Sequence, residues 1–169
     1  MTNITREIKT KNRLIPRHEG SENIDQHTVS SFGEEWNSFH GFTEKDIQAL
    51  GEQYFDIVSP GMLNENSHII DIGCGSGRFI KYIQTKYPYQ SITGIDPSSA
   101  ILAADSLIGA DEKITLIQAA ADNIPLPDEH FDFGYSLGVL HHIPDTTKAL
   151  NDCVKKKVPV FFYLLYTIV

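Results

Sequence analysis

The chain has 169 residues, 41% of them hydrophobic, and a formal net charge of −8. This length supports one hydrophobic core and is too short for two domains of ordinary size. The negative charge disfavours a nucleic-acid partner, because phosphate contacts need a clustered basic surface.

The first thirty residues are polar and lack a sustained apolar period. They predict a loosely ordered lead-in, 1–30, before a single domain that spans 31–169. The basic residues between Arg6 and Arg17 are more typical of a solvated tail than of a binding arm. No stretch has the pattern of a secretory signal or the length of a membrane span, and two cysteines make no disulfide framework, so we expect a cytoplasmic protein.

Three aromatic residues stand close together in a polar setting just before the predicted core: Phe32, Trp36 and Phe39. Bulky aromatic side chains are expected to cover something. They are candidates for a lid over a bound ligand, and packing of the lead-in on the edge of the sheet explains them equally well.

The first predicted helix begins at Thr43, where Thr43 and Asp46 resemble a capping box, and ends at Pro60-Gly61. The β-branched segment His68–Ile72 predicts a strand, and a glycine-rich loop and an amphipathic helix follow it. Further segments continue the alternation. Strands are predicted at 91–95, 113–118 and 131–137, helices at 98–107 and 146–156, and a last strand in the apolar run 158–169.

This alternation predicts an α/β fold in which a parallel sheet of about five strands is covered by helices on both faces. Ligands of such sheets bind at the carboxyl ends of the strands. The glycine loop, Asp71-Ile72-Gly73-Cys74-Gly75-Ser76-Gly77, lies at such an end. Its glycines let a ligand approach the backbone closely.

A second acidic residue supports a nucleotide-like ligand. Asp96 stands nineteen residues after Gly77 at the end of the next predicted strand, where its carboxylate could accept hydrogen bonds from both ribose hydroxyls. The alternative is a carboxylate that caps the following helix. Dinucleotide sites use Gly-x-Gly-x-x-Gly, and here Arg78 occupies the position of the last glycine, which disfavours NAD and FAD.

These residues resemble class I S-adenosylmethionine (SAM)-dependent methyltransferases, over about Ser67 to Asp145. The glycine loop resembles the first motif of that family, and Asp96 its ribose-binding acid. The segments 121–132 and 137–145 resemble the family's next two blocks. The resemblance implies a Rossmann-like fold with SAM as cofactor. It also implies cofactor-binding roles for the following residues: Asp71, Gly73, Cys74, Gly75, Gly77, Arg78, Asp96, Pro97, Ala121, Asp122, Ser136 and Leu137.

The resemblance also implies which part of the cofactor each of these residues contacts. Asp71 lies near the methionine amino group, Ala121 and Asp122 border the adenine, and Ser136 and Leu137 line the methionine arm. Many relatives carry an acid where this chain has Ala120, so adenine recognition is expected to use backbone amides or Asp122. Arg78 is a planar donor for the cofactor carboxylate or a partner of a surface acid.

His141 and His142 are candidate catalytic residues, because a neutral imidazole could take a proton from an attacking hydroxyl or amine. Neighbouring helical residues point about 100 degrees apart, so at most one of them is expected to face the site. The alternative is a structural role for both. No spaced Cys/His set is present, so no metal is predicted.

The expected activity is methyl transfer from SAM to a small-molecule acceptor. The segment after the fourth strand, Ser-Leu-Gly-Val-Leu, lacks the Asn/Asp-Pro-Pro-aromatic signature that is associated with methylation of nucleic-acid bases. Family members usually continue through two more strands, so the chain resembles a C-terminally shortened member. The alternative is therefore a SAM-binding fragment or pairing subunit, with an open sheet edge that could pair with another copy.

Overall fold

The computed structural model describes residues 6–38 and 41–156. The strands are β1 (Arg6–Lys9), β2 (Leu14–Arg17), β3 (His68–Ile72), β4 (Ser91–Ile95), β5 (Ile114–Ile117) and β6 (Phe133–Tyr135). The helices are α1 (Gln26–Ser38), α2 (Glu44–Tyr54), α3 (Arg78–Lys86), α4 (Ala100–Ile108) and α5 (Thr146–Val154), with a short 3₁₀ turn at Leu140–His142.

The central sheet is parallel, in the order β5-β4-β3-β6. Alternate residues of β3 enter two separate hydrophobic clusters, because successive side chains of a strand point to opposite faces. Ile69 packs in the cluster that α2, α3 and α4 cover, and Ile70 in the cluster that includes Ala149 and Cys153 of α5. Helices therefore cover both faces, and the predicted α/β Rossmann-like fold is confirmed with four described strands.

Most predicted elements lie where the sequence pattern placed them. The bounds of β3 and β4 agree with the prediction, whereas β5 and β6 are shorter than predicted. The predicted capping box at α2 forms: the Asp46 amide donates to Thr43 Oγ1 at 3.2 Å, and the Thr43 amide donates to Asp46 Oδ2 at 2.9 Å. This helix ends at Tyr54, before Pro60. The strand predicted over 158–169 lies outside the described residues.

Residues 6–30 carry more local structure than their polar pattern predicted. β1 and β2 form an antiparallel hairpin, and Ile15 of β2 is fully buried in the larger hydrophobic cluster. The hairpin also contacts the sheet edge, since the Gln118 amide donates to the Pro16 carbonyl at 2.9 Å. The lead-in is thus packed against the main sheet.

Arg13 shows why a basic residue of this segment is not a solvated tail. Its Nε donates to Asp105 Oδ1 at 2.7 Å, and its Nη atoms donate to the Ile114 and Gly109 carbonyls. Both partners of the ion pair are largely buried, with 11% and 4% of their side chains exposed. The expectation that Arg13 lies in a flexible tail is therefore wrong.

Replacing Arg13 with alanine is expected to destabilise the fold by about 3 kcal/mol, because a buried charge on Asp105 loses its partner. Chemical denaturation followed by circular dichroism measures this change. Lys11→Ala, at an exposed position of the same hairpin, serves as the matched control and is expected to change stability by less than about 0.5 kcal/mol. Equal stability of the two variants would contradict the packing of the hairpin.

No helix in the described part of the chain is long and apolar enough to cross a membrane.

Candidate functional site

A cavity opens at the carboxyl ends of the sheet strands, beneath α1. It holds about 890 Å³ of space that protein atoms do not fill, part of it open to solvent. Its wall combines the glycine loop, the turns after β4 and β5, the segment after β6 and the side chains of α1. Parallel sheets bind ligands at this edge, as the sequence predicted.

The cavity wall contains eight of the residues that the sequence singled out: Gly73, Gly75, Arg78, Asp96, Pro97, Ala121, Leu137 and His142. Six others do not line it: Asp71, Cys74, Gly77, Asp122, Ser136 and His141. Asp71 and Gly77 belong to the glycine loop, and both are behind its cavity-lining residues Gly73 and Gly75 in the sense that they do not line the cavity themselves. Cys74, also in this loop, is buried in the larger hydrophobic cluster, and burial raises the pKa of its thiol well above the ordinary value.

The glycine loop needs its glycines for conformation as well as for space. Gly73 and Gly77 adopt φ angles of 80° and 77°, in the left-handed region that side chains disfavour. A Cβ on Gly73 would stand 2.4 Å from Val139 Cγ2, and one on Gly77 would stand 2.9 Å from Ala104 Cβ. The loop therefore packs against the segment after β6 and against α4, which fixes its path along the cavity.

Asp71 is buried at the end of β3, where its Oδ2 has no hydrogen-bond partner among the described residues. Burial raises the pKa of this carboxyl to about 8, and the nearby Tyr135 hydroxyl and the charge of Arg78 oppose the rise. An unsatisfied buried carboxyl oxygen is costly unless a ligand or water supplies a donor. Asp71 is thus suited to a cationic group that approaches the glycine loop.

Asp96 lies in the cavity wall and is 8% exposed. Its Oδ2 accepts from the Gly75 amide at 2.9 Å, and its Oδ1 accepts from the Ser98 amide at 2.8 Å and from Ser98 Oγ at 2.6 Å. Burial raises its pKa above the ordinary value. The carboxylate therefore orders the turn before α4 and lines the cavity, but it does not cap α4, whose N-cap residue is Ser99 and has no side-chain capping bond.

Arg78 is held by aromatic rings. Its guanidinium carbon lies 4.7 Å from the centroids of Trp36 and Phe79 and 5.4 Å from that of Phe42. Among the described residues no carboxylate forms an ion pair with it, so the predicted alternative of a surface acid partner is not seen there. The cation faces the cavity and is available to an anionic group.

Only one of the two adjacent histidines lines the cavity. The ring of His142 lies edge-on to the ring of Phe32, with ring centroids 4.9 Å apart. The centroid of the His141 ring lies 3.9 Å from that of His142. Burial, together with His141, lowers the pKa of His142, so its imidazole is neutral near pH 7. Of the two candidate bases, His142 is the one that lines the cavity.

The sequence prediction missed a group of wall residues that precede the sheet: Asn23, Ile24, Asp25, Thr28 and Val29. A local signal was present, because Asp25 caps α1 by accepting from the His27 amide at 3.0 Å. Val29, Phe32 and Trp36 then recur at helical spacing and face the cavity. The third lid candidate, Phe39, lies outside the described residues.

Asp122 is placed differently from the prediction. Its Oδ1 accepts from the Ser21 hydroxyl and its Oδ2 from Lys148 Nζ at 3.5 Å, and it does not line the cavity. The expectation that Asp122 recognises a ligand is therefore replaced by a structural role, since it joins the segment before α1 to α5.

Trp36 allows a test of whether the aromatic cover is functional. Trp36→Ala removes a ring from Arg78 and opens the cavity wall, so the affinity for S-adenosylhomocysteine (SAH), the demethylated form of the cofactor that the resemblance implies, is expected to fall about tenfold. Isothermal titration calorimetry measures it. Phe42→Ala is the control, because Phe42 contacts Arg78 without lining the cavity. Unchanged affinity in Trp36→Ala would indicate that Trp36 has a packing role only.

Comparison with known proteins gives the same assignment as the site. A family model described as "Methyltransferase domain" matches residues 70–157, just over half of the chain. A tRNA U34 carboxymethyltransferase of Nautilia profundicola is 31% identical over 58% of this chain and 33% of its own length. A sterol 4-C-methyltransferase of Caenorhabditis elegans is 24% identical over 86% of this chain and 44% of its own length.

A solved structure shares the fold. A putative S-adenosyl-L-methionine-dependent methyltransferase from Methanococcus maripaludis has a TM-score of 0.62 and 21% identity, over 86% of this chain and 67% of that one. The chain spans less than half the length of the two relatives described above. With the family model, the glycine loop and the cavity in agreement, the chain belongs to the class I SAM-dependent methyltransferases.

Proposed function

We propose that this chain transfers the methyl group of SAM to a small-molecule acceptor. The observation that carries the proposal is the arrangement of Arg78 and Asp96 in one cavity wall, with the buried carboxyl group of Asp71 in the glycine loop that forms part of that wall. Asp71 has an unpartnered buried oxygen, Arg78 faces the cavity with no ion pair among the described residues, and Asp96 lies in the wall beyond the glycine loop.

These residues fit the polar groups of SAM. Asp71 would hold the α-amino group, Arg78 the α-carboxylate as a planar donor, and Asp96 the two ribose hydroxyls. Pro97 and Ala121 would border the base, and Leu137 the methionine arm. Gly73 and Gly75 leave the backbone open to the middle of the cofactor.

Bound SAM supplies a methyl group on a positively charged sulfur, already activated for attack by an electron-rich atom. The task of the chain is therefore mainly to position the acceptor and exclude water. Phe32, Val139 and Ile143 supply apolar wall for this purpose. His142 would accept a proton from an acceptor that must lose one.

A small-molecule acceptor is supported by the charge of the chain and by the cover over the cavity. The net charge of −8 opposes binding to a phosphate backbone. α1 lies over the cavity, which favours an acceptor small enough to enter beneath it. The relatives themselves differ in acceptor, one by name acting on tRNA and one on a sterol, so the acceptor class rests on this chain's own surface.

Calorimetry with SAM, SAH and NADH tests the proposal. We expect heat of binding with SAM and SAH and none with NADH, because Arg78 stands where a dinucleotide-binding loop has its last glycine. Transfer of a labelled methyl group from SAM into small-molecule extracts then tests catalysis. A folded protein that binds neither SAM nor SAH would refute the proposal.

The second candidate is a SAM-binding fragment or pairing subunit without its own activity. Within residues 6–38 and 41–156, β6 pairs only with β3, so its other edge has no strand partner there. Such an edge can pair with another chain. SAM binding without methyl transfer, together with self-association in light scattering, would favour this candidate. A monodisperse, thermally stable monomer would count against it.

A further inference from the structure

Tyr135 and Asp71 are paired residues of the central sheet. They are Cα partners in the parallel pairing of β6 with β3, so their side chains leave the sheet on the same face, from strands about 4.8 Å apart. Both residues are buried, with 2% and 1% of their surfaces exposed. The structure therefore places a phenol beside the carboxyl group that is proposed to hold the amino group of the ligand.

Each residue of this pair has a buried polar atom without a partner. Among the described residues, neither the Tyr135 hydroxyl nor Asp71 Oδ2 forms a hydrogen bond. A phenylalanine would fill the same space as Tyr135 without a polar atom, and a buried hydroxyl that has no partner costs free energy. The phenol is a donor and an ionised carboxylate is an acceptor, so the two atoms complement each other once Asp71 is ionised.

We propose that Tyr135 is a positioning residue, whose hydroxyl donates to the ionised carboxylate of Asp71 and so stabilises the form that binds the α-amino group of the cofactor. This inference rests on the proposed function, in which Asp71 holds that amino group. Tyr135 does not line the cavity, so it acts through Asp71 and does not touch the ligand itself.

The ring of Tyr135 is held by aromatic neighbours. It lies edge-on to the ring of Phe55, with centroids 5.1 Å apart, and its centroid is 6.0 Å from that of Phe133. All three rings belong to the larger hydrophobic cluster. The hydroxyl hydrogen can still rotate about the C–O bond, so we expect the donor to stay beside Asp71 when a ligand binds.

The charges around the pair support the direction of this hydrogen bond. Burial raises the pKa of Asp71 to about 8, the Tyr135 hydroxyl and the charge of Arg78 oppose the rise, and Asp96 adds to it. Burial, together with Asp71, raises the pKa of Tyr135 well above its ordinary value, so the phenol keeps its proton. Burial likewise raises the pKa of the neighbouring Cys74 thiol, which stays neutral. Tyr135 is therefore a neutral donor beside a carboxyl group that must ionise.

Tyr135→Phe removes the hydroxyl and keeps the ring. Because the ionised Asp71 loses a donor, the affinity for SAH at pH 6.5 is expected to fall about tenfold. The loss is expected to shrink above pH 9, where Asp71 is ionised in both proteins. At pH 8 the variant is expected to release about 0.4 more protons per bound SAH than the wild type. Titration calorimetry over this pH range, in buffers of different ionisation enthalpy, measures both quantities.

A second ligand and a second variant serve as controls. 5′-Methylthioadenosine has the adenosine and sulfur of SAH without its amino and carboxylate groups, so it does not need an ionised Asp71. Its affinities for the wild type and for Tyr135→Phe are expected to agree within about twofold. Tyr82 is another buried tyrosine of the same cluster, and its ring centroid lies 6.1 Å from that of Tyr87. Tyr82→Phe is expected to leave the affinity for SAH unchanged at every pH.

The outcomes separate this inference from the proposed function. A folded Tyr135→Phe protein that binds SAH as the wild type does would overturn the role of Tyr135 and leave the proposed function intact. The same conclusion would follow if the variant lost affinity equally at every pH, or equally for both ligands. A wild-type chain that does not bind SAH would refute the proposed function, and this inference with it.

The wild-type chain gives a second test, which decides the point even if Tyr135→Phe does not fold. With ring-labelled tyrosine, the NMR spectrum of the SAH complex is expected to show the Tyr135 hydroxyl proton, assigned through its own ring. This proton should exchange slowly with water, because it is buried and bonded to a carboxylate. A Tyr135 hydroxyl proton that exchanges too fast to be seen in the complex would overturn the inference.

Discussion

Replacing Asp96 with alanine is expected to weaken binding of SAH by about 100-fold. Each hydrogen bond to a charged group contributes roughly 1.5 kcal/mol or more, and Asp96 would bind two ribose hydroxyls. The variant also frees the Gly75 amide, which donates to Asp96 at 2.9 Å. The glycine loop then loses part of its order together with the ribose contact. Titration calorimetry at pH 7.5 measures the change in dissociation constant.

Two further variants show whether the loss of affinity comes from the ribose contact or from the removal of an acidic residue in general. Asp96→Asn keeps the size of the side chain and one acceptor oxygen, so we expect an intermediate loss of about tenfold. Asp56→Ala removes an acid from an exposed position and should leave the affinity unchanged. An Asp96→Ala protein that is folded and binds SAH as the wild type does would contradict the assigned role.

Binding of SAH is expected to strengthen as the pH rises. The pKa of Asp71 is raised to about 8 by burial, so below pH 8 most of the unliganded protein carries a neutral Asp71. The α-ammonium group needs the ionised carboxylate, and binding therefore releases a proton. Between pH 6 and 7.5 the dissociation constant is expected to fall roughly twentyfold.

Calorimetry in buffers of different ionisation enthalpy counts the released protons directly. We expect release near pH 6.5 in the wild type and none from this group in Asp71→Asn. The charged neighbours of Asp71 are Arg78, which favours its ionised form, and Asp96, which opposes it. A dissociation constant that does not change with pH, without proton release, would show that Asp71 is not the partner of the amino group.

Through Asp71, a rise in pH is expected to lower the stability of the unliganded fold, although it raises the affinity for SAH. Because the pKa of Asp71 in the folded chain lies above the value of 3.8 for an ordinary aspartate, its protonated form favours folding. This contribution is complete below about pH 4 and is lost as the pH rises toward 8. The unliganded protein is thus expected to lose stability over the range in which its affinity for SAH increases.

Local sequence signals were sufficient for the centre of the fold. Strands buried on both faces are rich in apolar and β-branched residues, as in His68–Ile72 and Ser91–Ile95. The loop glycines mark a left-handed backbone and close packing, where a side chain would be strained and would clash with its neighbours. The bounds of β3 and β4 and the position of the glycine loop were therefore predictable without the structure.

The segment before α2 was not predictable in the same way, because its stability comes from distant residues. Arg13 bonds to Asp105 and to the carbonyls of Gly109 and Ile114, all about a hundred positions away. Ile15 is a single apolar side chain whose burial depends on the sheet edge that it meets. A polar sequence with few apolar residues predicts disorder unless such partners are known.

By itself, the sequence determined the family and the type of cofactor, because glycine spacing and the acid after the second sheet strand reflect local backbone geometry. Only the tertiary structure decided what each acid does. Asp71 lies within β3 and Asp122 follows β5, yet one oxygen of the buried Asp71 has no partner among the described residues, whereas Ser21 and Lys148 bond to Asp122. The physical reason is that desolvation and hydrogen-bond partners depend on the surrounding fold, which a linear pattern does not contain.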